Sequence, residues 1–201
     1  MKTQKIVVSS NGSGMSEALD EVELFSGSMG FDKHSTLRVR LLAEETLSMV
    51  RSIIDDFKAD FWMESTDKCN CELHLLAVAD MDYKKRQDLI AASTNKQNEA
   101  SIGVMGKIKD FIEGCMFYLG FDRELPDTDP RLVGCVSFDE IHMWSLYQYR
   151  NYLEEQYEGV DADAMLEELE RSIVANIADD VRVSVDGNNI EMIIFKNFSV
   201  V

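Results

Sequence analysis

The chain has 201 residues, of which 45% are hydrophobic, and a formal net charge of −17. That apolar content suffices for a full core and excludes a disordered chain, and the length fits a single domain spanning residues 1–201. The acidic excess argues against a nucleic-acid ligand, whose phosphates would be met by the protein's own field; it suits a basic protein partner or serves solubility.

No apolar run approaches a membrane span, and MKTQKIVVSSNG lacks the apolar core of a signal peptide. The reading is therefore a cytoplasmic protein that does not contact membranes, with Cys69, Cys71, Cys115 and Cys135 reduced.

Lys5 to Ser9 reads as a short strand, and Asn11 to Gly14 as a turn. Met15, Ala18, Leu19, Val22, Phe25 and Met29 then mark an amphipathic helix over 15–28 that stops at Gly27–Gly30. A longer helix follows from a Ser35 N-cap to Phe57, with Val39, Leu42, Ala43, Val50, Ile53 and Phe57 on one face. Beside that stripe runs a line holding Leu41, Glu45, Ser48 and Ser52. DFWMEST predicts a strand, Asp67–Asn70 a turn, and CELHLLAVA a strand covered on both faces. These elements predict a two-layer α/β sandwich, a mainly antiparallel sheet with helices on one face.

In residues 83–100 a short helix with a basic start is expected to give way to a polar tract with little to bury. SIGVMGKIKDFIEGCMFYLG then resumes helical spacing at Val104, Ile108, Phe111, Ile112, Cys115 and Leu119. Both prolines, Pro126 and Pro130, precede a short strand, LVGCVSF. Phe138 to Glu158 is expected as an aromatic helix with Phe138, Ile141, Trp144, Tyr149 and Tyr152 on one arc, within a helical insertion over 119–160. Its other side, with Met143, Leu146 and Tyr147, is expected either to mediate self-association or partner docking, or to cover a pocket mouth. Asp161 and Asp163 open a last helix, buried through Met165, Leu166, Leu169, Ile173 and Ile177. VRVSV, the Asp186–Gly187 turn and IEMIIFKNF close the chain as a β-hairpin.

Cys69, Cys71 and His74 form C-x-C-x-x-H, whose residue types suit zinc. In a strand, however, the two cysteines share one face and His74 takes the other, so the reading is two small buried thiols and a surface histidine. His34 and His142 have no nucleophile nearby in sequence, and no G-x-S-x-G or P-loop occurs.

The order strand, helix, Glu-bearing helix, two strands, polar tract, glycine-marked helix, helix and hairpin resembles the GHKL (Bergerat-fold) ATPases. It is most similar to the anti-sigma-factor serine kinases and the histidine-kinase ATPase domains. The likeness rests on LLAEETLSMV and on SIVANIADDVRVSVDGNNIEMIIFKNF, and covers residues 1–100 and 162–198. It implies an ATP or ADP site in which Glu45 is the general base and Asp80 accepts a hydrogen bond from the adenine amino group. Gly103, Gly106 and Lys107 would hold phosphate at a helix start. The family's magnesium-binding Asn falls at Met49, whose thioether cannot replace an amide oxygen for a hard cation, so magnesium binding is not expected. Sliding the register to Glu44 and Ser48 recovers an oxygen on a different face. Asp82 and Lys84 stand where the family's glycines would let backbone approach the ligand. The resemblance thus implies a nucleotide-binding regulator with a degenerate site, acting as a switch or serine kinase on a protein partner. The alternative is a pseudo-ATPase that uses the same sandwich only to bind or dimerise.

Overall fold

The computed structural model describes residues 1–53, 57–67, 69–79, 103–119, 129–138, 141–156, 169 and 172–198. In chain order the elements are β1 (Ile6–Ser9), α1 (Met15–Met29), α2 (Lys33–Ile53), β2 (Phe57–Glu64), β3 (Asn70–Ala79) and α3 (Gly103–Leu119). A one-turn helix (Pro130–Leu132), β4 (Cys135–Phe138), β5 (Ile141–Ser145), α4 (Leu146–Gln156), α5 (Ile173–Ile177), β6 (Asp180–Asp186) and β7 (Asn189–Asn197) complete the set. The strands form one seven-stranded sheet in the order β1-β2-β3-β7-β6-β5-β4, with every neighbouring pair antiparallel. Helices cover one face, giving the expected two-layer α+β sandwich. Among the described residues no helix is long and apolar enough to cross a membrane.

The alternation read from the sequence explains the layering. Ile6, Phe61, Leu75, Met192, Val183, Trp144 and Cys135 lie side by side in register, one residue per strand. This row spans the whole sheet on the helix-covered face and is continuous with a single apolar core. From above, Val22 and Phe25 of α1, Val39, Leu42 and Ala43 of α2, and Ile108 and Phe111 of α3 close the core. The opposite face carries Lys58, Asp60, Glu64, Glu72, Glu191 and Arg182, with Val7 and Val78 58% and 54% exposed beside them.

Four expectations are corrected. The long second helix begins at Lys33, with the Asp32 carboxylate accepting from the Ser35 amide at 2.6 Å, so Asp32 rather than Ser35 caps it. It ends at Ile53, and Phe57 belongs to β2, buried by pairing opposite Ala79. The helix expected from Phe138 begins only at Leu146, because Phe138 belongs to β4 and Ile141–Ser145 to β5, which pair Cys135 with Trp144 and Ser137 with His142. The 119–160 insertion is thus not wholly helical: it widens the sheet by β4 and β5. His74 is not a surface residue but is 8% exposed. Most of the helix expected from Asp161 lies outside the described residues, which hold only Leu169, buried, and α5.

Candidate functional site

Glu45 sits half-buried on α2, between the buried Ala43 and Thr46. The Thr46 hydroxyl donates to the Leu42 carbonyl at 2.6 Å, so its polar group is satisfied inside the helix. The slipped register, Glu44 with Ser48, points outward: both residues are exposed, and Glu44 lies 3.2 Å from Arg40, which also pairs with Glu23 of α1 at 2.5 Å. Met49 lies within α2. Asp80 lies outside the described residues.

Gly103 opens α3 in the left-handed conformation, with φ at 78°, and Gly106 is buried one turn on. Lys107 places its ammonium 5.5 Å from the centre of the Tyr149 ring on α4. The main packing partners of α3 are the one-turn helix, β5 and β6, whereas those of α2 are α1 and α5. The Glu45 helix and the Lys107 helix therefore occupy different flanks of the helical layer. Lys107 faces an aromatic ring, not the Glu45 helix.

Two constellations escaped sequence reasoning. On the open face His74 is stacked on Trp62, and its ring nitrogens lie 3.3 Å from Glu72 and 3.7 Å from Glu191. Neither nitrogen makes a hydrogen bond to these carboxylates. Cys71, one strand position from Glu72 but on the core face, is fully buried, and burial pushes its thiol up to about 12. The C-x-C-x-x-H residues are thus split between the two faces, and no group of three metal-ligating side chains occurs among the described residues.

The second constellation lies at the far edge of the sheet. Ser137 Oγ and His142 Nδ1 are 2.9 Å apart across the β4–β5 hairpin. Cys135, two residues before Ser137, is half-buried and packs against the core that also holds Cys115 of α3. Burial pulls His142 below the usual imidazole range, keeping it neutral near pH 7. The signal was present as C-x-S followed by I-H-M-W, an alternation that a hairpin brings face to face.

No protein-family model matches this chain, and neither a curated protein nor a solved structure matches it at a significant level.

Proposed function

We propose that the protein is a nucleotide-binding regulator of the GHKL type with a degenerate catalytic site, which acts on a protein partner. The observation that carries this reading is the sheet order. The closing hairpin inserts β7 beside β3, so the strand that runs into Asp80 is central and the Glu45 helix lies on the covered face. An antiparallel sheet with the Glu45 helix on its covered face, assembled from residues far apart in sequence, supports the reading. The chain's charge of −17 favours a basic partner.

One observation favours the second reading, a sandwich that binds proteins without nucleotide. Lys107, the residue assigned to phosphate, is turned to Tyr149 instead. Thermal melts with ATP, ADP and magnesium decide between the readings. The nucleotide reading expects a melting shift with ATP that magnesium does not enlarge and that Asp80→Asn abolishes. No shift at millimolar nucleotide leaves the protein-binding module.

A further inference from the structure

The sheet face that carries no helix among the described residues divides into charge-matched flanks and an unmatched centre. On one flank Glu64 is matched by Lys2 at 2.6 Å and Asp60 by Lys5 at 3.0 Å. Toward β6, Asp180 is matched by Arg182 at 2.8 Å. Between them, on β3 and β7, Glu72 and Glu191 have no lysine or arginine in ion-pair contact among the described residues. Both reach only the ring of His74, at 3.3 and 3.7 Å, on opposite nitrogens.

His74 does not satisfy these carboxylates. The residue is 8% exposed, and both ring nitrogens are buried with no hydrogen-bond partner. A ring so buried ordinarily has its nitrogens bonded. The Glu72 and Glu191 side chains, 34% and 36% exposed, therefore remain open to a donor from outside. A cation arriving there meets two carboxylates separated by one imidazole, beside apolar surface instead of in bulk water.

That surface is supplied by the same two strands. Phe195 stands directly opposite Glu72, Leu76 directly opposite Glu191, and Ile193 opposite His74. Leu76, Ile193 and Phe195 are half-buried, and Val78, two residues beyond Leu76 on the same face, is exposed. None of the four belongs to the core beneath the helices. A second copy of the chain is disfavoured as occupant, because each copy carries a charge of −17.

We propose that this face over β3 and β7 docks a basic segment of a protein partner. Its cationic side chains pair with Glu72 and Glu191, and its apolar side chains lie on Leu76, Val78, Ile193 and Phe195. Docking here rests on the basic-partner part of the function proposed above and needs no nucleotide, so peptide binding and the ATP melts can fail separately.

The probe is a short synthetic peptide alternating arginine with leucine, titrated calorimetrically into the full chain at physiological salt. A second peptide carries serine in place of every leucine. The arginine–leucine peptide should bind one to one, and the arginine–serine peptide at least about fivefold more weakly. Glu72→Gln/Glu191→Gln should weaken the arginine–leucine peptide at least about tenfold. Glu17→Gln/Asp20→Asn, at exposed positions on α1, removes the same charge from the helical side and should weaken it less than about twofold. Absence of binding, equal affinity for the two peptides, or equal losses in the two double variants overturns the site; the last would leave only a general attraction to an acidic protein. Should the Glu72/Glu191 variant not fold, Val78→Lys, at an exposed position, carries the test. A cation placed on the face should weaken the peptide at least about fivefold, and an unchanged affinity rejects the site.

Discussion

The imidazole of His74 lies flat on the indole of Trp62, ring centroids 4.8 Å apart and planes 9° from parallel, on the sheet face that carries no helix among the described residues. The two residues are directly paired across β2 and β3. Lys2 and Lys5 bring their ammonium groups to 5.1 and 4.6 Å from the indole centre, and the indole N–H donates to Glu64 at 2.7 Å. Trp62 is in consequence 6% exposed without help from the helical layer. It is the centre of a small second core.

Trp62→Ala should therefore destabilise the protein by about 3 kcal/mol, as for a buried aromatic in the main core. His74→Phe keeps the stack and removes two nitrogens that have no hydrogen bond, so it should stay within about 1 kcal/mol of wild type. Urea unfolding of both variants checks the pair. A Trp62→Ala cost below that of His74→Phe would show that the stack contributes nothing.

Asp129 and Arg131 define a pH dependence. Burial raises the Asp129 carboxyl, but hydrogen bonds from the Arg131 side chain and amide and from the Tyr118 hydroxyl outweigh it and hold it at about 2. The folded value lies below the ordinary 3.8. The stabilisation is therefore present above about pH 4 and is lost as the pH falls through about 2. After allowance for solvent screening, Asp129→Asn should cost about 1 kcal/mol at pH 7, much less near pH 2 and nothing well below it. Unfolding curves at the two pH values give the difference.

Two glycines of the first helical unit should respond in opposite senses. Gly14 has φ at 78°, and a Cβ there would lie 2.1 Å from the Val7 carbonyl oxygen of β1. Gly14→Ala should cost about 3 kcal/mol or more, because the backbone of either the turn or the strand must move. Gly27 lies inside α1 with open space around its Cα. Gly27→Ala should raise stability by about 0.5–1 kcal/mol through helix propensity. Melting temperatures of the two variants should fall on either side of wild type.

The proposed nucleotide site makes a prediction about Met49. Met49→Asn supplies the amide oxygen that a hard cation requires. ATP binding by that variant should become magnesium-dependent, tightening about tenfold with the ion present, the effect of roughly 1.4 kcal/mol. Titration calorimetry with and without magnesium reads the change; identical affinities would remove Met49 as the cause of degeneracy.

Sequence alone determined the elements whose pattern admits one period. Val39, Leu42, Ala43 and Val50 recur only at helical steps, and VRVSV with IEMIIFKNF alternates only as strands, so α2 and the β6–β7 hairpin were legible before any contact was known. Residues 138–152 admit both periods. Ile141, Trp144, Tyr149 and Tyr152 suit a helix, yet residues 135–145 alternate well enough to pair, and the free edge of β6 decides the matter by offering backbone partners to β5. The same dependence on assembly governs the chemistry. Glu45 and Gly103 could be assigned from local pattern, but their placement on different flanks follows from how the helices divide the sheet face. Ser137 and His142 stand five residues apart, and only the pairing of β4 with β5 puts the hydroxyl beside the ring nitrogen. Local periodicity is a property of neighbouring residues, whereas a thiol's environment is set by whatever the fold brings against it.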